Sequence, residues 1–215
     1  IPKELVTGKL NVSAATLKAL EEQGVITTIV EEIYRTTGGG QVDNSTKVVL
    51  NENQKKICDI ICREYEEGKR DTYLIHGITG SGKTEVYIRA AAQAVEQGKQ
   101  VLMLVPEIAL TAQLVKRFKA WFGDEVSVAH SKLSQNERGD VWYKMHTHQA
   151  NILIGVRSAV FAPFENLGLI IIDEEHETSY KQDERPNYHA RNVALQRSQL
   201  TGAPLILGSA TPDLE

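Results

Sequence analysis

Two stretches of this 215-residue sequence combine residue types and spacings that suit phosphate chemistry. The first is Gly77-Ile78-Thr79-Gly80-Ser81-Gly82-Lys83-Thr84, which follows a short apolar run, Thr72 to His76, and opens an alanine-rich run of helical period, Lys83 to Gln97. Glycines let a backbone close around phosphate oxygens, and a helix N-terminus offers N–H groups at the positive end of its dipole. In such a phosphate-binding loop (P-loop) Gly77, Thr79, Gly80, Ser81 and Gly82 form the cradle, Lys83 neutralises the β/γ-phosphates and Thr84 holds Mg²⁺. The second stretch is Leu169-Ile170-Ile171-Ile172-Asp173-Glu174-Glu175-His176, four apolar residues and then a polar tetrad. A carboxylate leaving a buried strand at Asp173 is placed to share the metal with Thr84, and Glu174 follows as general base toward water. The expected chemistry is Mg²⁺-dependent hydrolysis of a nucleoside triphosphate, with Lys83, Asp173 and Glu174 as the catalytic set.

These residues need a scaffold, and the apolar periods supply one. Helices are expected over Asn51 to Lys69, Lys83 to Gln97, Ile108 to Phe122, Ser134 to His148 and Tyr188 to Leu200. Strands are expected at Thr72 to His76, Gln100 to Val105, Glu125 to His130, Asn151 to Val156, Leu169 to Ile172 and Pro204 to Leu207. Apolar strands alternating with helices predict an α/β fold whose parallel sheet is covered on both faces. Upstream, Ser13 caps a helix over Ala14 to Gln23 that Gly24 stops, and Val25 to Arg35 reads as a strand, so a partial winged-helix module is expected. Thr36 to Thr46 is a cluster of turn formers, which places the domains at residues 1–45 and 46–215.

Composition narrows the classes. A chain that is 41% hydrophobic and 24% charged is neither disordered nor fibrous. Its net charge of -4 gives no global positive field, so any contact with nucleic acid must come from local patches. No apolar run approaches the roughly 20 residues of a membrane span. Cys58 and Cys62 read as two half-buried core thiols, and His146 and His148 as surface residues facing opposite sides of their helix, so no zinc site is expected here.

Asp173-Glu174-Glu175-His176 after one strand, with Gly208-Ser209-Ala210-Thr211-Pro212 after the next, resembles the DExH helicases of superfamily two. The run from Gly77 to Tyr87, Val105 to Thr111, His130-Ser131 and Gly155 to Phe164 resemble the replication-restart branch of that family. The resemblance implies a RecA-like first lobe of an ATP-dependent 3′-to-5′ DNA helicase that recognises abandoned forks and starts primosome assembly. It implies a cytoplasmic protein with forked and single-stranded DNA, primosome proteins and single-strand-binding protein as partners. Carried over by motif, Lys83 and Thr84 serve triphosphate and Mg²⁺, and Asp173 and Glu174 serve metal and water. Gln54 reads the adenine edge or is an amide satisfied by backbone. Arg157 and Ser158 meet DNA phosphates, or Arg157 pairs with an acidic neighbour. His176, Ser209 and Thr211 link nucleotide state to DNA grip, with a simple turn as the alternative for the last two.

Ser179 to Arg191 interleaves aromatics with cations and resembles the loop that couples single-strand binding to ATP turnover. There Tyr180 and Tyr188 would stack on bases, and Lys181, Arg185 and Arg191 would meet phosphates, unless the loop merely docks on the sheet. The resemblance also implies a second lobe with arginine fingers, an N-terminal DNA-binding domain and cysteine-rich zinc sites elsewhere in a longer protein. The chain alone is then expected to bind nucleotide weakly and hydrolyse little. Rival readings are an ATPase that remodels protein complexes and a non-hydrolysing DNA-binding adaptor.

Overall fold

A computed structural model of the chain describes residues 49–212 and, further upstream, residues 15, 16, 20, 21 and 23. The chain divides into two compact units, Ile1–Thr36 and Thr37–Glu215, at the start of the glycine-rich stretch. In the first unit Ala15, Thr16, Leu20 and Glu21 are helical and Gln23 lies in a turn. The winged-helix reading and the strand at residues 25–35 lie outside the described residues.

In the second unit Asn51 starts α1 (Glu52–Glu66) with a reciprocal cap. Its side chain accepts from the Gln54 N–H at 2.9 Å, while Gln54 Oε1 accepts from the Asn51 N–H at 3.0 Å. Cys58, Ile61 and Tyr65 form its buried face. Burial, with the neighbouring Cys62 adding to it, pushes the Cys58 thiol up to about 11, and both cysteines are free thiols. Then follow β1 (Thr72–His76), α2 (Lys83–Glu96), β2 (Gln100–Leu104), α3 (Ala112–Phe122), β3 (Val126–Ala129), α4 (Gln135–His146), β4 (Ile152–Gly155) and β5 (Leu167–Ile172). The two-residue strands β6 (Lys181–Gln182) and β7 (Tyr188–His189), helix α5 (Ala190–Thr201) and β8 (Leu205–Ser209) complete the unit.

Six strands form one parallel sheet in the order β1-β8-β5-β2-β4-β3. Residues of β2, β4 and β5 are buried throughout, which is why these strands are unbroken apolar runs. Side chains alternate between faces. Val101, Met103, Ile154 and Ile171 pack with α1, α2 and α3, while Leu102, Leu104, Ile170 and Ile172 pack with Met145 of α4 and Ala190 and Ala194 of α5. Gln100, wholly buried, donates to the Met145 and Ala150 carbonyls and accepts from the Glu165 and Asn166 N–H groups. A satisfied buried amide of this kind pins the start of β2 to the two segments beside it.

Because β8 lies between β1 and β5, the carboxyl ends of β1, β8 and β5 stand side by side. That edge is where open α/β sheets place their ligands. It carries the P-loop, Gly208–Thr211 and Asp173–His176.

Two expectations need correction. The helix expected over Ile108 to Phe122 is split: Glu107–Ala109 makes one 3₁₀ turn, and Thr111 then adopts an extended conformation and caps α3 by accepting from the Leu114 N–H at 3.2 Å. His146 and His148 do not face opposite sides. The helix ends at His146, His148 takes a left-handed φ of 56°, and both rings come to 3.5 Å from the Glu165 carboxylate.

Candidate functional site

β1 delivers the chain to Gly77, whose N–H donates to the Ser209 carbonyl at 3.0 Å. Gly82 ends the loop as the residue before α2, with φ 86°. The left-handed conformation requires glycine, and a Cβ there would lie 2.1 Å from Gln54 Nε2 and displace that amide. Gln54 Nε2 donates to the Ser81 carbonyl at 3.0 Å. Both ends of the Gln54 amide therefore meet backbone, the α1 cap on one side and the phosphate loop on the other. At the start of α2 the Glu85 N–H donates to the Gly82 carbonyl at 3.0 Å, while the N–H groups of Lys83 and Thr84 precede the first helical hydrogen bond and stand at this loop. Lys83 is only 8% exposed; its Nζ donates to the Gly77 carbonyl at 2.6 Å and lies 3.4 Å from Glu174 Oε1. A buried ammonium needs such company, and this one is held at the loop.

Asp173 leaves β5 with its N–H donating to the Leu104 carbonyl at 2.9 Å. Its Oδ1 accepts from the hydroxyl of Tyr87, at 2.9 Å, and its carbonyl accepts from the hydroxyl of Tyr180, at 2.6 Å. Burial raises the Asp173 carboxyl, and the Glu174 charge adds to this against the lowering effects of Tyr87 and Lys83. Burial, then the Asp173 charge, raises both tyrosine hydroxyls, so they remain donors. Glu174 adopts φ 46°, a left-handed conformation uncommon outside glycine, of the kind that is held where surrounding contacts over-determine it. Tyr87 lies one helical turn beyond Thr84 on α2, so its bond to Asp173 places that carboxylate against the Thr84 face. A hydroxyl with a carboxylate is a hard-oxygen donor set that fits Mg²⁺, and the glycine-lined loop at a helix N-terminus fits phosphate.

Ser209, wholly buried, joins the two halves. Its Oγ lies 2.8 Å from His176 Nδ1 and accepts from the Thr211 N–H at 3.2 Å, while its carbonyl holds Gly77. His176, Ser209 and Thr211 are thus connected by hydrogen bonds to the P-loop.

The segment expected as an exposed loop is ordered by its contacts. Thr178–Tyr180 makes a 3₁₀ turn, and β6 and β7 pair antiparallel as a short ribbon. Tyr180 is wholly buried, so its ring is not offered to a base; it anchors the ribbon to Asp173 instead. Arg191, expected at a phosphate, pairs at 2.9 Å with the buried Glu175. Arg157 has no acidic partner among the described residues: its Nη1 donates to the carbonyls of Ser179 and Lys181, with the Tyr188 ring 6.0 Å away. Tyr188 is half-buried, edge-on to Phe161 at 4.9 Å between ring centres. Lys181, in an ion pair with Asp183 at 3.0 Å, stays exposed, as do Arg185 in the turn of the ribbon and Ser158 after β4. Tyr87, Glu175 and Gly208 are site residues without a role in the sequence reading. The signals for Tyr87 were its place at the end of the Gly77 to Tyr87 run and its spacing of three from Thr84.

With the geometry in place, comparison with known proteins fixes the class. A model of the DEAD/DEAH box helicase family matches residues 51–215. The chain belongs to that family. Among individual proteins it is similar to replication restart protein PriA of Bacillus subtilis (strain 168), at 44% identity over 216 residues, covering 100% of this chain and 27% of the relative. PriA of Chlamydia trachomatis serovar D is 46% identical over 217 residues, covering 100% of this chain and 29% of the relative. Among solved structures, RecG bound to a three-way DNA junction aligns with a TM-score of 0.59 and 25% identity, over 78% of this chain and 22% of that one. The chain thus spans less than a third of the length of these relatives. No helix among the described residues is long and apolar enough to cross a membrane.

Proposed function

We propose that this chain is the ATP-binding first lobe of an ATP-dependent 3′-to-5′ DNA helicase that acts in replication restart. On this reading the whole protein recognises stalled or abandoned forks, binds forked and single-stranded DNA in the cytoplasm, and starts primosome assembly with primosome and single-strand-binding proteins. Zinc would belong to other parts of that protein. The observation that carries the reading is the contact of Lys83 with Glu174 beside Asp173, linked through Tyr180 to a ribbon bearing exposed Lys181 and Arg185.

The P-loop amides and Lys83 bind the triphosphate, and Gln54 reads the adenine edge. Thr84 and Asp173 would hold Mg²⁺, which when bound neutralises charge on the β- and γ-phosphates. Glu174 accepts the proton of the attacking water once Lys83 engages phosphate. Lys181, Arg185 and Ser158 contact DNA, while Arg157, Arg191 and Tyr188 hold the ribbon that reports that contact to Asp173.

The test is ATP hydrolysis by the full-length protein with and without forked DNA at several salt concentrations. Stimulation by forked DNA that weakens with salt is expected, together with loss of nucleotide binding in Lys83→Ala. ATP turnover indifferent to DNA would favour a protein remodeller, and nucleotide binding unchanged in Lys83→Ala would favour an adaptor.

A further inference from the structure

Tyr87 is wholly buried, yet its hydroxyl serves the site and not the core, donating to Asp173 Oδ1 at 2.9 Å. Helix α2, which carries Tyr87, packs over β2 and β5, and Asp173 follows β5 directly, beside β8. On the way to Asp173 the tyrosine hydroxyl passes over the end of β8, at Gly208. A Cβ at Gly208 would fall 1.6 Å from Tyr87 Oη and 3.2 Å from Asp173 Oδ1. The end of β8 thus carries a glycine where any side chain would part the two residues. A phenol used only to fill the core would require neither a carboxylate partner nor this gap.

A carboxylate at the end of a strand rotates broadly about its last torsion unless something holds it. We propose that Tyr87 is a positioning residue for Asp173, orienting its carboxylate toward Mg²⁺ from the same helix that carries Thr84. The proposal rests on the reading of Asp173 as a metal ligand. Partners that orient a ligand in this way typically alter metal affinity or activity by about 10–100-fold when removed.

Tyr87→Phe removes the hydroxyl and keeps the ring. The measurement is binding of a fluorescent, non-hydrolysable ATP analogue to the full-length protein, titrated with Mg²⁺ from EDTA to saturation, with Asp173→Ala in parallel. Tyr87→Phe should bind the analogue as wild type in EDTA, while the Mg²⁺ concentration for half of the metal-dependent gain in affinity rises about tenfold. In steady state kcat should fall while KM for ATP stays within about twofold at saturating Mg²⁺. Asp173→Ala should lose the metal-dependent gain. A wild-type Mg²⁺ midpoint in Tyr87→Phe, beside an Asp173→Ala that has lost the gain, overturns the proposal and leaves the metal-ligand reading standing. An Asp173→Ala that keeps the gain overturns both. If thermal melting shows Tyr87→Phe to be unfolded, Gly208→Ala decides, because it pushes the hydroxyl off Asp173 without deleting it: a raised midpoint supports the proposal and an unchanged one overturns it.

Discussion

Glu85 ties the helix that follows the phosphate loop to its neighbour α3. It is 2% exposed on the first turn of α2, where a carboxylate also favours the helix dipole, and it takes Arg89 at 3.4 Å and Arg117 of α3 at 3.3 Å. Arg89 in turn lies 4.5 Å over the Trp121 ring. Glu85→Ala leaves two guanidinium groups beside an apolar patch. Because both arginines keep some solvent contact, the cost should be about 2 kcal/mol, below the usual range for a buried pair. In thermal melting of the 215-residue chain that corresponds to a fall of about 6 °C; an unchanged melting temperature would show the ion pairs to be energetically idle. At this scale the sequence was legible where chemistry dictates residue type, as at Lys83, Thr84 and Asp173. It was not legible at Tyr87, Glu175 and Tyr180, whose roles depend on which strands become neighbours.

The ribbon formed by β6 and β7 was the least legible element, because two-residue strands have no period to read. Its order comes from single anchors: Arg157 on two carbonyls, Tyr180 on Asp173, and Arg191 on Glu175. At its far end His189 caps α5, its Nδ1 accepting from the Arg191 N–H at 3.2 Å. Burial lowers this histidine below the ordinary 6.5, Arg191 and Lys181 lower it further, and Glu175 opposes them. The unfolded chain therefore binds the proton more readily than the folded one, and stability rises with pH through this group. Its contribution is complete above about pH 6.5 and is lost as pH falls through the lowered value. Amide exchange of the first turn of α5 should accelerate between pH 7.5 and 5.5, after correction for intrinsic rates, and His189→Asn, an uncharged cap, should remove that dependence. A pH response equal in both proteins would assign it elsewhere. The longer elements were legible almost to the residue, since β2, β4 and β5 are apolar throughout. The break before α3 was missed because a capping threonine stood inside an otherwise helical pattern.

For the unit as a whole, a parallel α/β fold was legible from alternation alone, but the strand order was not, since apolar strands do not declare their neighbours. That order makes β8 the sole partner of β1 among the described residues, Thr72 opposite Leu205 and His76 opposite Ser209. A chain ended at Ala203 should therefore lose the support of Gly77 and show no nucleotide binding in an equilibrium titration, though the whole P-loop is present; retained affinity would show that the loop stands without β8. The same pairing sets a timetable for synthesis. The phosphate loop leaves the ribosome early, but the strand that fixes it follows more than a hundred residues later, a wait on the order of ten seconds at ordinary elongation rates. Until then β1 is an open edge, and the phosphate loop lacks the carbonyl of Ser209 that holds Gly77.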